Sequence, residues 1–384
     1  MMRRLPGWYI LLTGMLMGSV IVTIIQAHLQ LFPSMDDQYL AGHPLLLKSG
    51  AISYRPAFVE TYIIDHLSAW GWDKASRNVP GCNIWTDPAA TTDNVHSLLN
   101  LFRTELKNYY KRIEDFSPVS DVLKTIRDGN SHDVCHSLKL DPDGGIDKLF
   151  PSGQLSHTST SGFIEPLSTP MRHPDFCFDT KDRDALMDLN YLVHDFEAMC
   201  NSLKPTSRRI LIDLGASLSY HEENEQVKSE TPPMVSLLNL YHKFGFVFDH
   251  IYAYEVTFIE PEKVFNNLLP KEYMTSYHWI NAGVNPTKGH RLNPLDSILR
   301  NFEEDDFIVI KVDIDKHSIE WPLVNQLLED TSLHKLVDQL YFEHHVMFKE
   351  MSPIWRSAMK GSLKDTFDLF HSLRTKGIPA HFWP

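Results

Sequence analysis

The sequence lacks a Cys-x-x-Cys pair, an N-x-S/T acceptor free of proline, and any excess of positive charge. Each absence closes off a class of function. The 4 cysteines, Cys82, Cys135, Cys177 and Cys200, are too dispersed for a zinc module. They permit disulfides in any of several pairings in an oxidising compartment, or ordinary buried thiols in a reducing one. The tripeptide Asn285-Pro286-Thr287 is barred from glycosylation by its proline. A formal net charge of -13 excludes nucleic acid as the main partner, because proteins that grip phosphate backbones carry basic surfaces. An anionic lipid surface is excluded on the same ground. The 20 histidines are mostly scattered. His132 and His136 stand four apart around Cys135, but the glutamate of an H-E-x-x-H site is missing and Gly129-Asn130 argues for a loop. The turn at Asp141 has Ser152 where a calcium loop needs its twelfth-position acid. These patterns predict no metal ion.

What is present is apolar surface enough for a sizeable core, 43% of the residues. Residues 5–25 form an uncharged, mostly apolar run, which at ~1.5 Å rise per residue is long enough to cross a bilayer as a helix. Arg3 and Arg4 precede it, so the positive-inside rule predicts a single-pass type II membrane protein, in the ER or Golgi if the cell is eukaryotic. Trp8 and Tyr9 suit the membrane interface. A cleaved signal peptide is the alternative, for which Ile25-Gln26-Ala27 is a poor cleavage site.

Residues 1–34 are thus a cytosolic tail and transmembrane signal anchor, and 35–182 a stem with a helical or irregular cap. Between 30 and 88 short apolar pieces alternate with Pro, Gly, Ser and Asp. Val95, Leu98, Leu99, Phe102, Leu106 and Ile113 recur at helical spacing and predict a helix capped by Thr92 or Asp93. A shorter helix is predicted over 119–127. From 141 to 179 the sequence predicts a long irregular segment able to form a lid or substrate wall. Arg172 and His173 are its polar contacts, or plain surface residues.

From 183 to 384 apolar runs too short for helices alternate with amphipathic stretches. Leu186, Leu189, Val193, Phe196, Cys200 and Leu203 share one face of a helix that stops before Pro205. Ile210, Leu211 and Ile212 then run into Asp213 and Gly215, which is the pattern of a buried parallel strand entering a turn. Further strands are predicted at 251–255, 278–282, 307–315 and 339–343, with an edge strand at 377–383. Helices are predicted at 234–248, 295–302 and 362–375. The alternation specifies an α/β fold with a doubly wound, mostly parallel sheet, whose ligands bind at the carboxyl ends of its strands.

The stretch from Arg209 to Ser219 resembles motif I of class I S-adenosylmethionine-dependent methyltransferases, with Ser217 and Ser219 standing where that family has further glycines. Lys311, Asp313 and Asp315, separated by apolar residues, resemble the FkbM-type branch, as does the Asn281-Ala282 step. Lys316 replaces the glycine that follows there. The resemblance implies a Rossmann-like domain over 183–384, S-adenosylmethionine as cofactor, and methylation of an oxygen or nitrogen of a small-molecule, sugar or lipid-linked acceptor. It implies that Gly215 and Ser217 let the cofactor approach the turn, that Asp213 supports its methionyl end, and that Asn281 borders it. Glu255, placed ahead of Glu260, would accept hydrogen bonds from both ribose hydroxyls. Asp313 would align the acceptor and take its proton, with Glu343 or His344 in second place. Lys311 would keep the Asp313 pKa low, or the two form a structural ion pair. Two other classes fit the same residues: a non-catalytic methyltransferase-like binding or scaffold protein, and a Golgi-type glycosyltransferase using Asp313 and Asp315. His344 and His345 are adjacent in a strand and point to opposite faces, so they are not expected to share a metal.

Overall fold

Short apolar runs bounded by acids and glycines become strands throughout the second half of the chain. The computed structural model describes residues 54–85, 87, 95–115, 146–179, 183–216, 218, 231–244 and 246–384. The apolar run 5–25, the cap at 92–93, the helix expected at 119–127, the His132–His136 cluster, the Asp141 turn and Ser217 lie outside these residues. Among the described residues, no helix is long and apolar enough to cross a membrane.

Strands β4 (Arg209–Leu214), β5 (His250–Tyr254), β6 (Tyr277–Ile280), β7 (Phe307–Val312), β8 (Gln339–Phe342) and β9 (Ala380–Phe382) form one 6-stranded sheet in the order β6-β5-β4-β7-β8-β9. Every neighbouring pair is parallel. Each strand from the predicted set is present, although β7 stops at Val312 and β8 at Phe342, short of the expected ends at 315 and 343. At Asp315 the backbone turns into the left-handed region, φ 59°, which ends any extended run. All residues of β7 are buried, as a strand covered on both faces requires. Each buried Ile or Val there contributes about 1.5–3 kcal/mol.

Helices cover the sheet. These are α3 (Phe196–Ser202), α4 (Pro233–Lys243), α5 (His317–Glu329) and α6 (Leu363–Thr375), preceded in the chain by α1 (Phe58–His66) and α2 (Val95–Asp115). The single helix expected over 186–203 is instead a short turn of helix at Arg183–Met187 and then α3. Asp195 restarts the helix, its side chain accepting from the Ala198 N–H. The helix expected at 295–302 is likewise broken, into Pro294–Ser297 and a 3₁₀ turn at Leu299–Asn301. Ser362 and Asp365 form a capping box that starts α6.

The segment predicted as irregular contains regular structure among its described residues. β2 (Ser156–Thr158) and β3 (Gly162–Ile164) make an antiparallel hairpin to which β1 (Tyr54–Arg55) adds, giving a 3-stranded sheet. Residues on both sides of the boundary drawn at 182 share one buried apolar cluster, so that boundary does not separate two cores. Residues 52–384 form one compact unit. Arg374 of α6, fully buried, fastens its parts: it donates to the Glu165 backbone oxygen at 2.8 Å, to Glu165 Oε1 at 3.2 Å and to the Tyr54 hydroxyl at 3.2 Å. Glu165 in turn meets His381 Nδ1 of β9 at 2.9 Å. Cys82 and Cys177 are joined by a disulfide across 95 residues of sequence, and no described cysteine is a free thiol.

Candidate functional site

The strand order reverses between β4 and β7: the chain lays β4, β5 and β6 outward on one side, then returns to lay β7, β8 and β9 on the other. Open parallel sheets have their crevice at the carboxyl ends of such a pair. The register puts Asp213 beside Lys311 there.

Lys311, 2% exposed, sits between acids. Its Nζ lies 3.1 Å from Asp213 Oδ1 and 3.2 Å from Asp313 Oδ2, and it donates to the Gly215 carbonyl at 2.8 Å. The Trp383 ring lies beneath it, 5.4 Å away, and the Trp383 Nε1–H donates to Asp313 Oδ2 at 3.0 Å. Burial opposes the ammonium charge, but Asp213 and Asp313 outweigh it and raise the Lys311 pKa above the ordinary lysine value.

The expectation that Lys311 holds Asp313 low is overturned. Burial outweighs the attraction of Lys311, and with repulsion from Glu343 and Asp315 it pushes the Asp313 carboxyl up to about 8. Glu343 has the better cationic company. For Glu343 too burial is the largest influence, but His345 and Arg172 reverse it and lower its pKa. Arg172 Nη2 donates to Glu343 Oε1 at 2.5 Å and Trp355 Nε1 donates to the same oxygen at 2.9 Å. Arg172 and His173 are therefore not surface residues, at 4% and 7% exposure.

The glycine turn departs from its expected role. Gly215 has φ +87°, and a Cβ there would stand 1.6 Å from the Asp313 carbonyl oxygen. Glycine is demanded by the neighbouring strand's backbone, whatever approaches from outside. The N–H groups of Gly215 and Ala216 both donate to the Tyr254 carbonyl, at 3.0 and 2.9 Å, so they do not form an open cradle. Asp213 is 1% exposed and Oδ2 has no hydrogen-bond partner among the described residues; burial raises its pKa against the pull of Lys311. Asn281 spends its side chain on the carbonyls of Glu255 and Thr257, at 2.7 and 2.8 Å, tying the ends of β5 and β6 together. Glu255 remains accessible at the tip of β5, with Oε1 accepting the Thr257 N–H at 2.6 Å. Glu260 is exposed and precedes a short helical turn at Pro261–Lys263.

His344 makes its contacts away from the Asp313–Glu343 pair. It is 4% exposed, hydrogen-bonds Thr366 of α6 at 3.0 Å and stacks on Phe342 and Trp321. Burial, with the charges of His317 and His345, lowers its pKa to about 3, so it stays neutral. Its neighbour His345 faces the acids, with Nε2 3.1 Å from Glu343 Oε2 and 3.4 Å from Asp315 Oδ1. The strand ends at Phe342, so strand alternation does not govern the two histidines, which nonetheless make separate contacts.

Reasoning from sequence offered Arg172 as a polar contact without its partner Glu343, and missed Trp355, Trp383, Glu320 and the role of His345. Of these only His345 carried a local signal, its place in a run of acid and histidine at a strand end. No family model, curated protein or solved structure matches the chain.

Proposed function

We propose that the chain is a transferase holding S-adenosylmethionine across the carboxyl edge of a Rossmann-like sheet, and methylating an oxygen or nitrogen of a small-molecule, sugar or lipid-linked acceptor. The observation that carries this reading is the tip of β5. Glu255 is partly exposed there, with one carboxylate oxygen engaged by the Thr257 N–H and the other turned to no described partner. Val256 and Phe258 beside it are each 70% exposed, an apolar surface suited to a purine next to an acceptor suited to ribose hydroxyls.

Methyl transfer from a sulfonium is an in-line displacement, so the protein mainly aligns the acceptor and receives its proton. Asp313, at the strand-order reversal, would orient the acceptor, with Glu343, held by Arg172 and Trp355, as the neighbouring acid. The Cys82–Cys177 disulfide supports an oxidising compartment, in keeping with a domain on the lumenal side of a type II anchor.

Calorimetric titration of S-adenosylmethionine into the full chain tests the proposal. Glu255→Ala should weaken binding by about 1–3 kcal/mol, roughly tenfold to a hundredfold, with the melting temperature unchanged. Absence of binding by the wild-type chain would overturn the cofactor, and an unaltered affinity in the folded variant would remove Glu255 from the site.

A further inference from the structure

His345 is 1% exposed, yet neither ring nitrogen has a hydrogen-bond partner among the described residues. Buried imidazoles are ordinarily satisfied, and the groups nearest to this one are carboxylates. Its Nε2 is aimed between Glu343 Oε2, 3.1 Å away, and Asp315 Oδ1, 3.4 Å away. One ligand atom from each of the three residues lies within 4.8 Å of the others. Donors bound at ~2.0–2.2 Å to a common ion stand about 3.0–3.5 Å apart in octahedral or tetrahedral geometry. The spacing around Nε2 is that of a ligand set.

We propose that Asp315, Glu343 and His345 bind a divalent transition-metal ion of the Mn²⁺ or Zn²⁺ class. The surrounding groups prepare each ligand. Arg172 and Trp355 occupy Glu343 Oε1, which leaves Oε2 for the ion. The other imidazole nitrogen, Nδ1, faces Glu320 Oε2 at 3.9 Å, and Glu320 is itself buried and anchored by the Ile314 N–H on Oε1 at 2.8 Å. A carboxylate behind a ligating imidazole fixes its tautomer and raises its basicity. The Trp355 ring meets the His345 ring edge-on at 4.8 Å and holds its plane.

Ligand chemistry selects the ion. One imidazole with two carboxylates suits Mn²⁺, Fe²⁺ or Zn²⁺ better than Mg²⁺ or Ca²⁺, which favour oxygen alone. Asp315 is 69% exposed, so the remaining coordination positions open to solvent and can take an oxygen of a second ligand. The competing arrangement is an imidazolium lodged between Glu343 and Glu320 with no ion. Metal titration separates the two.

The full chain, stripped with a chelator and dialysed, is titrated separately with Mn²⁺, Zn²⁺ and Mg²⁺ in a calorimeter, with no S-adenosylmethionine present. The result is thus independent of the cofactor assigned above. The expected result is one Mn²⁺ or Zn²⁺ per chain, tighter than Mg²⁺, and at least tenfold weaker in Asp315→Asn and His345→Gln. Asp315 is exposed, so its variant keeps the fold and decides the matter even where His345→Gln does not fold. Failure of the wild-type chain to bind either ion stoichiometrically, or equal affinity in wild type and a folded Asp315→Asn, overturns the site.

Discussion

Single acids in this protein differ chiefly in how they are compensated. Lys311 pairs with Asp213 and Asp313, and Arg172 pairs with Glu343, whereas Asp338 has no comparable cation among the described residues. Burial first, and then repulsion from Asp306, push the Asp338 carboxyl up to about 7, against the stabilising Ile308 N–H at 2.8 Å. Its folded pKa therefore lies above the unfolded value near 3.8. Such a group favours the fold fully below about pH 4 and ceases to do so as pH rises through 7. Asp338→Asn keeps an acceptor for Ile308 and removes the charge. The variant should gain stability relative to wild type at pH 8 and lose that advantage towards pH 4, in urea denaturation at both values. A difference constant with pH would refute it. None of this was legible from sequence, because the environment of an acid before a strand depends on which strands flank it.

At the scale of elements, the sheet was legible because each strand is a short, nearly continuous apolar run, and burial on both faces demands that composition. The β2–β3 hairpin was not: Ser156-His-Thr158 and Gly162-Phe-Ile164 are too short and polar to show alternation, and the partner strand β1 is about a hundred residues away in sequence. The turn after β4 shows a second limit. Sequence finds a glycine there and offers a ligand as its reason, while the structure supplies a nearer one in the Asp313 carbonyl. Gly215→Ala should cost on the order of 3 kcal/mol or more, since it combines a left-handed φ with a backbone collision. The loss should appear in denaturation of the cofactor-free chain. A variant of wild-type stability that binds S-adenosylmethionine poorly would restore the original role of this glycine.

For the molecule as a whole, the candidate site draws on residues as far apart in sequence as Arg172 and Trp383, 211 positions. Asp213, Asp313, Glu255 and Glu343 could be named beforehand because each ends a strand. Arg172, Trp355 and Trp383 meet them only through tertiary packing, which no local pattern encodes. The Cys82–Cys177 disulfide closes a long loop over the segment that contributes Arg172. Replacing both cysteines by serine should lower stability by about 2–4 kcal/mol in non-reducing denaturation. An unchanged midpoint would show that the bond contributes nothing. Arg374 carries a last consequence. Its guanidinium belongs to the second half of the sequence, but its acceptors Tyr54 and Glu165 belong to the first. A fragment beginning at 183, where the sheet region starts, would keep the Ala380 carbonyl but inherit a buried cation stripped of its carboxylate partners Glu60 and Glu165. Expression of the sheet alone should yield aggregate, and the shortest soluble fragment must begin near 52, ahead of the first strand.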